Sequence, residues 1–182
     1  MRKLIDILTL LILAGILNAQ QTRKEVPNPA AAGDDAKANS DKIPDVFAIN
    51  GQFQRVLVLR FKYQADLLAG LESMVKQHKI KNAVILAGIG SVRNWHVHQV
   101  SNRTYPTKNM FVKDPTEPAD IAGMSGYVID GRIHAHITLS TPEKAFGGHL
   151  EPGTNVFTFA AVTLGVMSDG PDFSHLDDKS YR

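Results

Sequence analysis

Beyond residue 53 the chain alternates short apolar runs with turn-forming residues. Residues 54–61 (QRVLVLRF) carry β-branched and aromatic side chains and read as a strand. Asp66 can cap a helix, and Leu67, Leu68, Leu71, Met74, Val75 and His78 follow at helical spacing, which predicts a helix over 67–79. Residues 83–87 form an apolar run expected to be a buried strand. Gly88-Ile89-Gly90 is expected to break it, with a second strand resuming over 91–100. A short strand is expected at 110–112, and the two prolines between 114 and 119 mark a loop. Residues 121–129 and 132–140 flank Asp130-Gly131, a hairpin signal whose turn needs positive φ. Residues 141–153 read as a long connection and 154–167 as a long final strand, bent near Ala160-Ala161. One helix followed by a run of strands predicts an α+β fold with a mainly antiparallel sheet. The long apolar strands need cover on both faces, which an oligomer interface would supply on one.

The first 45 residues have a different character. Met1-Arg2-Lys3 is a basic start, Ile7 to Leu17 is an apolar run short for a bilayer span, and Ala19 is a small residue at a cleavage position. Residues 1–19 therefore read as a secretory signal peptide, with Asp6 at the edge of the run. A periplasmic or secreted mature protein without a stable membrane anchor is expected, since no cysteine follows the run to carry a lipid. Residues 20–45 are polar, without aromatics, and read as a flexible linker. Residues 46–167 form the domain, and 168–182 read as a loose polar tail. The chain has 182 residues, no cysteine and a formal net charge of +2, falling to about +1 once Arg2, Lys3 and Asp6 leave with residues 1–19. That balance argues against nucleic acid as a partner, which calls for a clear basic excess or stripe. Without disulfides, stability rests on the core and on any assembly.

The candidate chemistry is concentrated in histidines. His134 and His136 are two apart in a segment whose alternate set, Ile133, Ala135, Ile137 and Leu139, is apolar, so both imidazoles share the other face of a strand. His149 arrives after the connection on Gly147-Gly148, a pair that permits close backbone approach. Three neutral imidazoles converging on one point can bind a divalent metal, zinc first, and leave a fourth coordination position open. A hydrogen-bonded histidine cluster at an interface, or an anion site, is the alternative. The spacing does not fit a cupin, which would place a glycine at position 128 and a carboxylate at 140 or 141, where Val, Ser and Thr stand. His96 and His98, beside the lone Trp95, form a second same-face pair that is a ligand-binding candidate. Arg132 lies two before His134 and should share its face, where it can hold a small anionic ligand. Glu151, two past His149, is the candidate catalytic carboxylate, with Glu143 behind it. Arg93 and Lys144 read as solvated charges and Asp130 as a turn residue. Gly88-Ile89-Gly90-Ser91 lacks the last glycine and the following helix of a dinucleotide loop.

The segments GRIHAHITLSTPEKAFGGHLEPGTNVFTFAAVTLGVM and NAVILAGIGSVRNWHVHQV resemble the PPC (plants-and-prokaryotes-conserved) domain. The likeness runs from about Val46 to Met167. In plants this domain sits beside AT-hooks in nuclear proteins; in bacteria and archaea it stands alone. The resemblance implies a compact domain that assembles as a homotrimer, with His134, His136 and His149 as its metal-site candidates. Three functions follow as expectations: a secreted metal-binding trimeric module whose ligand, a small anion or small molecule, is undefined, a zinc-dependent hydrolase or lyase acting on a small substrate, or DNA binding by analogy with the plant relatives. The chain contains no AT-hook core, and its near-neutral charge counts against the third.

Overall fold

The computed structural model describes residues 23–25, 39–102 and 105–182. The expected signal peptide, and the linker apart from residues 23–25 and 39–45, lie outside the described residues. Among the described residues, eight strands and one helix follow in the order β1 (Arg23–Glu25), β2 (Phe53–Phe61), α1 (Leu67–Gln77), β3 (Ala83–Val100), β4 (Asn109–Asp114), β5 (Ala119–Ile129), β6 (Arg132–Ser140), β7 (Ala145–Leu150) and β8 (Asn155–Met167). Every pairing among them is antiparallel. The fold class read from the sequence therefore stands. Within the stretch read as linker, Arg23–Glu25 pairs with Val112–Met110 of β4.

α1 begins where Asp66 accepts a hydrogen bond from the Ala69 backbone N–H at 2.9 Å, satisfying a donor the helix itself cannot. The other carboxylate oxygen of Asp66 accepts from the Gly153 N–H at 2.7 Å, so the cap also ties the helix to the turn before β8. Leu67, Leu71 and Val75, four apart, are the buried stripe that packs on the sheet. The hairpin between β5 and β6 turns on Asp130 (φ 47°) and Gly131 (φ 79°), as the dipeptide predicts.

Three expectations are corrected. The first concerns the strand break at Gly88-Ile89-Gly90. β3 runs unbroken through these residues, and its register against β8 shifts around Ile85–Ala87 and Gly90–Val92. Gly90 has φ +132°, and a Cβ there would meet the Phe159 carbonyl and the Ala160 backbone, so the glycine lets two strands touch and does not end one. The second concerns residues 141–153, which contain β7, a strand pairing with β6 on one side and β3 on the other. The third concerns the tail. Phe173 is buried and meets Tyr127 edge-on at 6.0 Å between ring centroids, and Asn82 donates to the Pro171 carbonyl at 3.0 Å, so the segment after β8 is packed back onto the sheet.

The strands β3, β5, β6 and β7 close a circuit, because β7 returns to β3. Val97, Ile121, Met124, Ile137, Leu139 and Leu150 are buried residues from these four strands in one core cluster with Leu67 and Leu71 of α1. The outward positions of β6 and β7 are thereby left for polar chemistry.

Candidate metal centre

The site is a row of imidazoles across three adjacent strands. His149 of β7 pairs directly with His136 of β6 and, on its other side, with His98 of β3. Neighbouring strands lie about 4.8 Å apart, which sets the ring spacing. His134 stands two residues before His136, and the two rings are parallel at 5.5 Å. His149 presents its edge to both, at 4.9 Å from His134 and 5.5 Å from His136, and its other side stacks on His98 at 4.6 Å. The alternation read from the sequence holds: Ala135, Ile137 and Leu139 are buried on the opposite face.

Gly147 and Gly148 make this row possible. A Cβ on Gly147 would strike the Ile137 carbonyl of β6, and one on Gly148 would strike the His98 carbonyl of β3. Two consecutive residues without side chains allow β7 to sit between two strands at close range, and the next residue is His149.

One ligand nitrogen from each of His134, His136 and His149 can be chosen so that all three lie within 4.8 Å of one another. Three nitrogens bound tetrahedrally to one ion at 2.0–2.1 Å would be about 3.3 Å apart, a spacing that falls inside this limit. His98, His149 and Glu151 form a second such group, sharing His149. Burial, followed by the neighbouring His98 and His134, pushes the His149 pKa down to about 4. Burial also lowers His136, again with help from His134 and His98. Both rings are therefore neutral at pH 7, the form that has a lone pair for a metal. The residues present fit a divalent cation with an affinity for nitrogen.

Outer contacts orient these rings. The Nδ1 of His134 lies 3.3 Å from Asp177, whose two oxygens also accept from Arg132 at 3.3 and 3.4 Å. Burial raises the Asp177 pKa, but the hydrogen bonds from Arg132 and His134 outweigh it and keep the carboxylate ionised. The Nδ1 of His98 lies 2.5 Å from Glu151. A carboxylate on Nδ1 leaves Nε2 of the same ring for a metal, a common supporting arrangement. Around the rings opens a cleft of about 670 Å³, lined also by Tyr105 and Lys179.

Of the residues singled out in the sequence, His134, His136, His149 and His98 meet here. Glu151 joins them through His98, and Arg132 through Asp177. His96 is directed elsewhere, with its Nδ1 3.0 Å from the Pro152 carbonyl, and it belongs to neither donor group. Glu143 pairs with Thr141, Lys144 with Glu117, and Arg93 donates to Tyr63, all away from the row. Asp177 is a site residue that sequence reasoning misses, because a lone aspartate in a polar tail has no local signature.

The depressed histidines give a pH dependence whose sign is fixed. His149 titrates near 6.5 when unfolded and at about 4 when folded. The unfolded chain binds the extra proton first, so this stabilisation is complete above about pH 6.5 and is lost as the pH falls toward 4. Metal-free protein should show a falling urea midpoint over that window, and His149→Gln should flatten the fall. A wild-type midpoint that holds or rises on acidification contradicts the assignment.

Comparisons with known proteins agree with the fold. The family model for the Plants and Prokaryotes Conserved (PCC) domain matches residues 48–168. A metal-containing protein of Archaeoglobus fulgidus superposes with a TM-score of 0.57 at 21% identity, covering 68% of this chain and 86% of that one. A plant- and prokaryote-conserved (PPC) protein of Pyrococcus horikoshii gives 0.54 at 20% identity, covering 70% and 86%. At these identities the likeness is one of fold. Among curated proteins, the bifunctional protein GlmU of a Synechococcus strain is 25% identical over 120 residues, 65% of this chain. This chain spans 17% of that relative's length, so GlmU's activities as a whole are not carried over.

Proposed function

Because the chain belongs to the Plants and Prokaryotes Conserved (PCC) domain family, we propose that it is a metal-binding member of it. His134, His136 and His149 hold one divalent ion, zinc by the preference of three neutral imidazoles, and the domain works as a homotrimer. The observation that carries the reading is the convergence of the three imidazoles, two of them held neutral, at the wall of an open cleft. The metal-containing Archaeoglobus protein of the same fold lends support. Such an ion supplies Lewis acidity and an open position for a small ligand or water. Asp177 orients His134 directly, Glu151 fixes His98 against the face of His149, and the buried inner face of β6 keeps His134 and His136 on a rigid strand.

The trimer reading is supported by the outer face of β2, β3 and β8, where Val56, Val58, Ile89, Phe157 and Phe159 are exposed. A contiguous apolar surface of this kind calls for a partner. Export to the periplasm is supported by the basic start and short apolar run.

A second reading, a zinc-dependent hydrolase or lyase, rests on one specific feature. Glu151 and His98 form a carboxylate–imidazole pair directly beside His149, where a proton acceptor for metal-bound water would stand. DNA association has less support, since the cleft is lined by histidines and its charge balance is near neutral.

One preparation tests the principal reading. Purified full-length protein, dialysed against metal-free buffer, should retain about one divalent ion per chain by elemental analysis. Its light-scattering mass should be three times the 19.9 kDa chain. A metal-free preparation that does not take up zinc overturns the metal assignment, and a stable monomer overturns the assembly.

A further inference from the structure

The histidine row does not end at a polar wall. His134, His136 and Asp177 line the cleft described above and also a second one of about 450 Å³. That second cleft shares Val84, Tyr127 and Leu176 with a third cavity of about 750 Å³. The register explains the continuity. Tyr127 of β5 pairs with His134 of β6, and Val84 of β3 pairs with Tyr127, so one outward row runs from the imidazoles into apolar side chains. Two inter-strand steps cover about 10 Å.

The third cavity is of a different character. Phe47 and Ile49 from the segment before β2 and Phe53 at its start line it, together with Met167 at the end of β8 and Phe173 and Leu176 beyond. Its only charged lining residue is Asp45, and the second cleft adds Asp177; neither is lined by lysine or arginine. A phosphate, a nucleotide or a dicarboxylate would find no cation there beyond the histidine site. A sugar would find few polar partners. One negative or polar head at the histidines followed by an apolar body satisfies both ends. Phe47, Phe53, Tyr127 and Leu176 are between 37% and 49% exposed, so apolar surface is present and uncovered along the path.

We propose that the site binds an amphipathic monocarboxylic acid, its carboxylate at the metal position held by His134, His136 and His149, and its apolar chain passing Tyr127 and Leu176 into the cavity beneath Phe173. This rests on the metal reading for the head group and on the shape of the apolar cavities for the tail. Chain length should therefore govern affinity. Each buried methylene is worth about a fourfold gain.

The test uses full-length, zinc-loaded protein titrated with acetate and with octanoate by calorimetry, with zinc content measured on the same samples. Octanoate carries six more methylenes than acetate, and burial of only two of them should make it bind at least about tenfold more tightly. Leu176→Asn, a change at a partly exposed tail position, should remove most of that gain when octanoate is compared with acetate in the same zinc-loaded variant. Equal affinities for the two acids in zinc-replete protein would overturn the inference and leave the metal reading intact. A second copy of the chain covering the cavity would produce this same overturning result. A chain-length gain that persists in protein unable to hold zinc would keep the apolar site and remove the metal as its head-group anchor. Leu176→Asn protein that keeps the full octanoate preference would also overturn it.

Discussion

Replacing His149 with alanine should abolish stoichiometric metal binding, with affinity falling by more than about a hundredfold, since a direct ligand is lost where even a supporting contact is worth ten- to a hundredfold. The strand register gives the reason. His149 is the central ring of the row, paired across β7 with His136 on one side and His98 on the other. Both possible donor groups include it. Without it, His134 and His136 remain as one pair and His98 and Glu151 as another, and neither pair holds zinc against dialysis. His136→Ala should also remove most of the affinity, yet it leaves His98, His149 and Glu151 together, so its loss should be the smaller of the two. His98→Ala should cost least, because His98 lies outside the three-histidine group. The ring of His149 points into the cleft and not into the core, so the alanine variant should keep its circular dichroism spectrum. Competition against a chelating dye, with elemental analysis after dialysis, reads the ranking. A folded His149→Ala protein that keeps one zinc per chain would refute the site.

Much of this site is legible in the amino-acid sequence, and the parts that are not share a cause. The period of two over Ile133–Leu139 puts His134 and His136 on one face because β6 is buried on the other, and burial is what hydrophobic alternation records. Asp66 and the 67, 71, 75 spacing locate α1 for the same reason. β7 carries no such mark. Its sequence AFGGHL has two glycines where a strand would show alternating side chains, and glycine scores as a turn residue. Those glycines are there because strands on both sides come too close for a Cβ, a long-range fact that no local window contains. The same ambiguity between close approach and a break hides the continuity of β3 at Gly88-Ile89-Gly90. The tail looks loose in sequence because its order depends on scattered long-range contacts, such as Phe173 against Tyr127, Pro171 with Asn82, and Asp177 against Arg132 and His134, set in an otherwise polar stretch. The site's imidazoles are therefore readable, while the placement of their closest neighbours, His98 across the strand and Asp177 from the tail, depends on topology.

Gly148→Ala should show how far the fold and the site are one object. The new methyl would meet the His98 carbonyl and lie about 3.0 Å from Cγ of Gln99. The first of these is backbone and cannot turn aside, so β7 must move away from β3. Overpacking of this kind costs about 1–3 kcal/mol. The same displacement shifts His149, one residue on, relative to both His98 and His136, so metal affinity should fall together with stability. Gly123→Ala on β5 is the matched control: nothing lies within 4 Å of a Cβ there, and its backbone is not left-handed. Removing a glycine at such a position reduces the freedom of the unfolded chain and stabilises by up to about 1 kcal/mol. Urea denaturation of the two variants should therefore move in opposite directions, and only Gly148→Ala should lose zinc. Equal stability of the two proteins, or zinc binding by Gly148→Ala at wild-type affinity, would show that the glycine pair is not what brings His149 between its neighbours.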